Sequence, residues 1–261
     1  MVKLEALLFD VDGTLADTER DGHRPAFNLA FADAGLDWNW SVDLYAQLLA
    51  VTGGKERIRY YLDEFNTGFT RPDNFDEFVA DLHKAKTQHY MKLMAKGDIP
   101  LRNGVERLLR EARQVGLRLA IATTTTPANV EALLVNTLGR ESMDWFEIIA
   151  AGDIVPAKKP APDIYLYAMA QMQLRPEQCL AFEDSENGIK ATHAARLATI
   201  ITVNDYTRNH RFDDALLVLD RFGEPDEAFR VLQGQANGFS YVTIELLHWL
   251  HAQAYEKNTI S

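Results

Sequence analysis

Cysteine is almost absent from this sequence: Cys179 is the single example among 261 residues. A disulfide within the chain is therefore excluded, which is typical of proteins that work in a reducing compartment. Long apolar runs are absent too, since no stretch approaches the roughly 20 residues that a membrane-spanning helix requires. Glu5 and Asp10 interrupt the N-terminal apolar run, which lacks the pattern of a signal peptide. We therefore expect a cytoplasmic protein with no membrane partner.

Basic residues are scarce. The chain has 27 lysines and arginines against 38 aspartates and glutamates, a formal net charge of -11. A duplex-binding surface needs a basic face that releases counterions, so we expect no nucleic-acid partner. An acidic chain can still bind an anionic small molecule if its few basic residues lie at the site. The length suits one large domain or two moderate ones, and we expect a monomer.

Several short apolar stretches have the composition of buried strands. They are LEALLFDV, which ends near Asp10, and residues 117–123, 146–152, 179–184 and 198–203. Helical periodicity separates them: Asn103 is a candidate cap for one helix, Thr126-Pro127 begins another, and Pro162 begins a third. Strands that alternate with helices predict an α/β fold, with a Rossmann-like parallel sheet covered on both faces.

One long segment after the first strand departs from this alternation. Residues 17–96 show helical periodicity throughout and contain no strand-like run. We therefore predict an all-helical cap domain at 17–96, inserted into an α/β core domain made of residues 1–16 and 97–261. In the stretch from Gly234 onward, one more amphipathic helix is predicted around Val242, Ile244, Leu247 and Leu250, with its apolar face on the core.

Polar residues accompany four of the predicted strands. They are Asp10, Asp12 and Gly13 after the first; Thr123 and Thr124 after the second; Lys158 and Lys159 after the third; and Glu183, Asp184 and Ser185 at the end of the fourth. Each motif alone is more often a turn, a surface feature or a helix cap than a catalytic group. Ligands of open parallel sheets bind at the carboxyl ends of the strands. The occurrence of all four motifs near strand ends therefore favours a single shared site.

The arrangement resembles the haloacid dehalogenase superfamily of phosphotransferases over nearly the whole chain. The segment FDVDGTLADTE carries the first motif, Thr123 the second, Lys159 in AKKPAPDIY the third, and Glu183-Asp184-Ser185 the fourth. The first motif is specific, and all four in order are very specific. The resemblance implies an enzyme that transfers phosphoryl groups.

The resemblance also implies roles for the catalytic candidates. Asp10 would be the nucleophile that forms an aspartyl-phosphate. Asp12 would protonate the leaving oxygen and later deprotonate the attacking water. Lys159 would neutralise Asp10 and the transferring phosphate, and Thr123 would hold phosphoryl oxygens. These residue types suit phosphoryl transfer, because that reaction depends on positioning and on charge neutralisation.

Magnesium is the expected cofactor. An anionic nucleophile that attacks an anionic phosphate needs counter-charge, and a hard divalent cation with oxygen ligands supplies it. The ligands implied by the resemblance are Asp10, the main-chain carbonyl of Asp12 and Asp184, with Glu183 assisting.

Three cap segments supply candidate substrate-binding residues. They are Glu19, with His23 and Arg24 beyond it; Gly53, Gly54, Lys55 and Arg57 in VTGGKER; and His83, Lys86 and Thr87 in LHKAKTQHY, where helical spacing puts them on one face. Solvated charges at a helix–helix turn, or an ordinary polar helix face, would give the same patterns. The sequence leaves both interpretations open.

TGGKER, HKAKT and the ATTTTP run, which contains Thr124, resemble the CbbY branch of the superfamily. That branch comprises Calvin-cycle phosphatases that act on xylulose 1,5-bisphosphate. The resemblance implies a phosphorylated sugar as the small-molecule partner and a cap that closes over the site. One departure concerns His23, which lies four residues after Glu19, whereas many relatives have a spacing of three.

Other activities use the same scaffold. A haloacid dehalogenase would not need Asp12, and a phosphonatase typically lacks it, so Asp12 favours P–O chemistry. A β-phosphoglucomutase uses the same pair of aspartates and remains the alternative to a sugar-phosphate phosphatase. A non-catalytic sugar-phosphate-binding module would be free to lose Asp10, Asp12, Lys159 or Asp184, and all four are present.

Overall fold

The computed structural model of the chain describes residues 2–97 and 99–256. Within these residues one sheet contains seven strands, in the order β3-β2-β1-β4-β5-β6-β7. The strands are β1 Ala6–Phe9, β2 Arg118–Ala122, β3 Ile148–Ala150, β4 Cys179–Glu183, β5 Ala198–Thr202, β6 Leu217–Leu219 and β7 Val231–Gly234. β1 to β6 run parallel, and β7 pairs antiparallel with β6. The predicted α/β fold is confirmed.

The described helices divide between the two faces of this sheet and the segment that lies between β1 and β2. They are α1 Arg24–Asp33, α2 Val42–Leu48, α3 Gly54–Glu64, α4 Phe75–Ala95, α5 Val105–Gln114, α6 Pro127–Leu138, α7 Asp163–Met172, α8 Glu186–Ala194 and α9 Ile244–Glu256. Side chains of a strand alternate between faces. In β1, Leu7 and Phe9 therefore join the core beneath α5, α6 and α9, while Ala6 and Leu8 join the core beneath α7 and α8.

All five predicted strands are present, but one predicted helix cap is wrong. Asn103 does not cap α5: Gly104 precedes that helix in a left-handed conformation, and the Asn103 amide donates to Glu227. The predicted last helix is present as α9, which begins at Ile244 and contains Leu247 and Leu250. β6 and β7 were not predicted, since one is three residues long and the other is exposed.

The chain between β1 and β2 is helical from Glu19 to Ala95, apart from its loops. This segment has a core of its own, built from Phe27, Phe31 and Trp40 with other aromatic and aliphatic side chains. A bridge between Ala16 and Leu101 joins the two linkers that connect it to the sheet. None of the described helices is long and apolar enough to cross a membrane.

Candidate active site

Asp10 follows β1 directly and is almost completely buried. Lys159, from the loop between β3 and α7, donates to Asp10 Oδ1 at 2.6 Å and to Glu183 Oε1 at 2.6 Å. Its third hydrogen bond goes to the Ala122 carbonyl at 2.9 Å. The ammonium is therefore fixed between the proposed nucleophile and the end of β4.

Burial and crowding perturb these groups strongly. Burial raises the pKa of Asp10 to about 8, with Glu183 and Asp12 adding to the rise and Lys159 opposing it. Burial also raises the pKa of Asp184 well above its ordinary value, and Asp10 and Glu183 add to this. For Lys159 burial lowers the pKa, but the two carboxylates outweigh it, and the net shift is upward. Negative charge exceeds positive charge here, so the site favours a further cation.

The carboxylates are placed to supply that cation with ligands. Oxygens of Asp10, Glu183 and Asp184 lie within 4.8 Å of one another, all three residues buried. The Asn204 amide donates to Asp184 Oδ2 at 2.6 Å and fixes that side chain. Buried oxygen donors in such a cluster fit Mg²⁺, which prefers carboxylate and carbonyl ligands.

Glu183 is already engaged. Its Oε1 accepts from Lys159 and from the Tyr165 hydroxyl at 2.6 Å each, and its Oε2 accepts from the Asp184 main-chain N–H. Its clearest contribution is therefore to orient Lys159. The Asp10 and Asp184 carboxylates have fewer competing bonds to protein groups.

Asp12 turns its carboxylate toward the helical insertion. Its Oδ1 accepts from the Thr18 hydroxyl at 2.6 Å and lies 2.7 Å from His23 Nε2. Burial alone would raise the pKa of Asp12, but His23 and the Thr18 hydrogen bond lower it below its ordinary value. The carboxylate lies outside the Asp10–Glu183–Asp184 cluster, which leaves the main-chain carbonyl as its candidate metal ligand.

A chain of hydrogen bonds extends from Asp12 into the helical insertion. Lys86 Nζ lies 2.6 Å from His23 Nδ1, and the ring of His23 stacks on Tyr90 with centroids 4.3 Å apart. An ammonium can only donate, so we assign Nδ1 as acceptor and Nε2–H as donor to Asp12. Lys86 and His23 thus support the charged form of Asp12.

His23 reaches Asp12 despite its unusual spacing from Glu19. Residues Glu19–His23 form a π-helical turn. Such a turn takes in one residue more than an α-helical turn, and π-bulges are frequent at functional sites. The additional residue is thereby absorbed, and His23 still faces the acid/base candidate.

Glu19 and Arg57 form a second buried pair beside the site. The Arg57 guanidinium lies 3.4 Å from Glu19 Oε2 and donates to the Tyr45 hydroxyl at 2.7 Å, and that hydroxyl donates to Glu19. Burial opposes the charge of Arg57, yet Tyr45 and Glu19 shift its pKa upward. Arg57 therefore stays charged within reach of the site.

Four alternating charges connect the start of α3 to the loop after β3; we term them the cap–core ion cluster. Lys55 pairs with Asp153 at 2.7 Å, while Lys158 pairs with Asp153 and Glu56 at 3.0 Å each. Lys55 and Glu56 belong to the helical insertion, whereas Asp153 and Lys158 belong to the sheet region. The cluster joins the two regions at the mouth of a cavity.

Two adjoining cavities meet at this site. The first, of about 80 Å³, is lined by Asp10, Lys159, Glu183 and Asp184 among others. The second, of about 420 Å³, is lined by the following sequence-predicted residues: Gly53, Gly54, Lys55, His83 and Lys86. Residues that line both are Asp12, Glu19, Arg57 and Thr124. A ligand can therefore contact the two groups of residues at once.

The second cavity is rich in positive charge. Burial, followed by the charges of Lys86 and Lys55, lowers the pKa of His83 to about 3. Burial lowers the pKa of Lys86 to about 8, although Glu19 and Asp12 oppose the shift. The imidazole of His83 is consequently neutral at pH 7, while Lys86 remains mostly charged.

Small residues shape this cavity. A Cβ atom on Gly54 would lie 2.5 Å from the His83 ring, so a larger residue here would have to displace that ring. Thr123 is buried, and its Oγ1 accepts from the Thr125 N–H, while Thr124 lines both cavities. Thr87 lies outside both cavities and donates to the His83 carbonyl within α4.

Several residues of the site were not predicted. They are Thr18, Tyr45, Asp153, Tyr165 and Asn204. Tyr165 is part of the segment AKKPAPDIY that carried the third motif, so its position two residues after Asp163 was visible. Thr18 likewise lies within the first motif, FDVDGTLADTE. For Tyr45, Asp153 and Asn204 the sequence gives no comparable signal, because their partners lie on other elements or far away along the chain.

A four-motif site at the carboxyl edge of a parallel sheet, covered by a helical insertion, defines a class of hydrolase. The family model described as haloacid dehalogenase-like hydrolase matches residues 4–196. That range covers most of the chain and includes all four motifs. The chain belongs to the haloacid dehalogenase-like hydrolase family.

Within this family the chain is similar to proteins named CbbY. It is 50% identical over 214 residues to Protein CbbY of Rhodobacter capsulatus, covering 82% of this chain and 92% of that protein. It is 47% identical over 221 residues to Protein CbbY of Cereibacter sphaeroides, covering 85% and 94%. A crystal structure of a CbbY mutant from Rhodobacter sphaeroides in complex with xylulose-(1,5)bisphosphate superposes with a TM-score of 0.78 at 46% identity, covering 84% and 94%. The predicted CbbY resemblance is confirmed.

Proposed function

We propose that this chain is a Mg²⁺-dependent phosphatase that removes one phosphate from a sugar bisphosphate, with xylulose 1,5-bisphosphate as the preferred substrate. The adjoining cavities carry the proposal: one holds the nucleophile, and the other holds Lys55 and Lys86 with Arg57 between the two. A sugar with a phosphate at each end matches this arrangement. The related CbbY structure contains a sugar of that kind.

The reaction proceeds in two displacements. An oxygen of Asp10 attacks phosphorus, the bond from phosphorus to the sugar oxygen breaks, and Asp12 gives its proton to that oxygen. Water then attacks the aspartyl-phosphate and loses a proton to Asp12, and the bond to Asp10 breaks to release inorganic phosphate. The donor in the first displacement is the acceptor in the second, so Asp12 ends as it began.

The charges around Asp10 and Asp12 support both displacements. The pKa of Asp12 is lowered in the described arrangement, so its carboxylate is ready to accept the proton of water. A phosphate dianion beside it raises the pKa of a carboxyl group, so substrate favours uptake of the proton that the leaving oxygen needs. Lys159 neutralises Asp10 at 2.6 Å. A bound Mg²⁺, held by Asp10, Asp184 and the Asp12 carbonyl, with Glu183 assisting, would supply the remaining counter-charge.

We infer that residues 17–96 act as a cap domain over a core of 1–16 and 97–261. In the described arrangement, the cap–core ion cluster and the pairing of Asn187 with Ala50 and Thr52 hold the helical segment against the sheet. Closure excludes water while Asp10 attacks. We place the enzyme in the cytoplasm as a monomer, and a Calvin-cycle role remains a prediction from the resemblance.

The proposal is tested with a panel of phosphorylated sugars assayed for phosphate release. We expect xylulose 1,5-bisphosphate to give the highest kcat/KM and to lose one phosphate per molecule. Glucose 1-phosphate and fructose 1-phosphate serve as comparison substrates. Conversion of glucose 1-phosphate to glucose 6-phosphate without net phosphate release would instead support the mutase alternative.

Removing cavity cations should damage turnover of the bisphosphate selectively. Hydrogen bonds to charged groups contribute about 1.5–3 kcal/mol, so Lys55→Ala and Arg57→Ala should each lower kcat/KM for xylulose 1,5-bisphosphate by about 10- to 100-fold. The loss with p-nitrophenyl phosphate should be much smaller, because it has no second phosphate. Lys86→Ala should also lower kcat/KM more for xylulose 1,5-bisphosphate than for p-nitrophenyl phosphate. It should nevertheless slow turnover of p-nitrophenyl phosphate somewhat, since Lys86 supports His23 beside Asp12.

Arg59→Ala is the matched control for these variants. Arg59 is also on α3, but it pairs with Asp76 and lies over Phe75, and it lines neither cavity. We expect Arg59→Ala to leave the ratio of the two kcat/KM values unchanged. If Lys55→Ala and Arg57→Ala lose the same factor on both substrates, the cavity is not a second phosphate site.

Metal removal should stop the reaction. We expect EDTA to abolish phosphate release and Mg²⁺ to restore it, whereas Ca²⁺ should restore little, because its larger and looser coordination disfavours the in-line geometry. Asp184→Ala should raise the Mg²⁺ concentration required for half-maximal activity by at least about tenfold. Full activity in excess chelator would rule out the metal assignment.

A further inference from the structure

Arg102 is a buried cation that no motif accounts for. It lies in the linker that returns from the helical insertion to α5, and its side chain is 8% exposed. Its guanidinium donates to the Gly13 carbonyl, the Thr202 carbonyl at 3.0 Å, the Val203 carbonyl at 2.5 Å and the Asp220 carbonyl at 3.1 Å. These acceptors come from the turn after β1 and from the ends of β5 and β6.

Burial of this charge requires compensation. Burial lowers the pKa of Arg102, and the nearest paired carboxylate, Asp17, lies 3.5 Å from its Nε. An unpaired buried charge is strongly unfavourable, so the carbonyl groups must supply much of the stabilisation. Arginine suits this task because its planar group presents five donors in a rigid fork, which a lysine cannot reproduce.

The carbonyls that Arg102 contacts include two from segments that adjoin the same oxygen of Asp184. A Cβ atom on Gly13 would be 2.3 Å from Asp184 Oδ2, so the Gly13 backbone lies directly against that carboxylate. In the second segment, Val203 precedes Asn204, whose amide donates to Asp184 Oδ2 at 2.6 Å. The same guanidinium therefore fixes both neighbours of the carboxylate.

We infer that Arg102 is a positioning residue for the metal site: it holds the Gly13 turn and the Val203-Asn204 segment at the separation that orients Asp184. This deepens the proposed function and rests on its Mg²⁺ site, but not on the identity of the sugar. Arg102 also lies in the linker that connects the helical insertion to α5. One residue therefore anchors both the metal site and the point where the insertion rejoins the sheet. Arg102 itself lines neither of the two cavities.

The test is a Mg²⁺ series of thermal unfolding curves on the full chain without substrate. The Tm without metal reports stability, and its rise with Mg²⁺ concentration reports the apparent Kd, because a ligand that binds the folded state stabilises it. Arg102→Met removes the charge and the donors at similar length. Partners of metal ligands typically contribute about 10- to 100-fold in metal affinity, so we expect the Kd of Arg102→Met to rise by about tenfold. Arg102→Lys should fall between Arg102→Met and the wild type.

Arg107→Met is the matched control. Arg107 is also largely buried and donates to Glu224, Glu111 and the Gly223 carbonyl, but it contacts neither Gly13 nor the Asn204 segment. It should lower Tm without changing the Kd for Mg²⁺.

An unchanged Kd in Arg102→Met, even with a lowered Tm, would overturn the inference and leave Arg102 a purely structural residue. If Arg102→Met does not fold, Arg102→Lys decides in the same way, since one ammonium cannot reach both Gly13 and Val203 as the fork does. Wild-type protein whose Tm does not respond to Mg²⁺ would instead overturn the proposed metal site, and this inference with it. The two failures are therefore distinguishable.

Discussion

Asp10→Asn is expected to abolish turnover of every phosphate ester while the protein remains folded. An amide is a poor nucleophile and removes one negative charge from the proposed metal site. Loss of a covalent nucleophile costs on the order of 10⁶-fold in rate in a well-studied hydrolase, so we expect more than about 10⁴-fold here. The measurement is phosphate release from xylulose 1,5-bisphosphate and from p-nitrophenyl phosphate.

The fold should tolerate this substitution for reasons visible at the site. The two side chains have the same shape, and Lys159 keeps its 2.6 Å bond to Glu183 and its bond to the Ala122 carbonyl. Burial raises the pKa of Asp10 to about 8, so the charged carboxylate is itself unfavourable without a metal. Tm of the metal-free variant should therefore equal or exceed that of the wild type.

Asp43→Asn provides the control for Asp10→Asn. Asp43 is exposed in the first turn of α2 and lines neither cavity, so its substitution should leave turnover unchanged. Substantial phosphate release by pure Asp10→Asn protein would exclude an aspartyl-phosphate intermediate.

The central part of this site could be predicted because a parallel sheet gathers residues that are distant in sequence. Asp10, Thr123 and Glu183 each lie at or just after the end of a buried strand, and the strands pair in register in the order β2-β1-β4. An apolar run followed by a polar residue is a strong local signal for a strand end, and the parallel topology brings these strand ends to one edge of the sheet. Fold and candidate site therefore come from the same pattern.

The roles of individual residues within the site were harder to predict from the sequence. Glu183 was expected to assist a metal, but Lys159 and Tyr165 both donate to one of its oxygens, a contact that depends on how α7 packs on the sheet. The sequence likewise showed that His23 is one residue further from Glu19 than in many relatives. It did not show that a π-helical turn returns the ring to Asp12.

Charges in the cap gave the weakest signal. Lys55 and Arg57 were candidate substrate-binding residues in the segment that follows two glycines, yet each has an acidic partner in the structure, Asp153 and Glu19 respectively. Those partners lie 98 and 38 residues away along the chain. Pairing across such distances follows from tertiary packing, which no local pattern encodes. A bisphosphate must therefore compete with carboxylates for these cations.

Asp12→Ala is expected to slow the sugar phosphate reaction by about 10²–10⁴-fold, the usual contribution of a general acid or base. The loss should be smaller with p-nitrophenyl phosphate, because its leaving oxygen needs little protonation in the first displacement. The quantity to compare is kcat/KM, since it covers the steps up to the first irreversible one. Phosphate release under excess Mg²⁺ avoids confusion with weaker metal binding.

Asp12→Asn separates proton transfer from positioning. The asparagine keeps the shape of Asp12 and can still accept from Thr18 and His23, which lie 2.6 and 2.7 Å from Oδ1 in the wild type. If proton transfer is the role of Asp12, Asp12→Asn should be as slow as Asp12→Ala on the sugar phosphate. If Asp12 merely holds His23 and the helical insertion in place, Asp12→Asn should retain most of the activity. Equal losses on both substrates in Asp12→Ala would also contradict the acid role, because an alkoxide and a nitrophenolate differ greatly in their need for a proton.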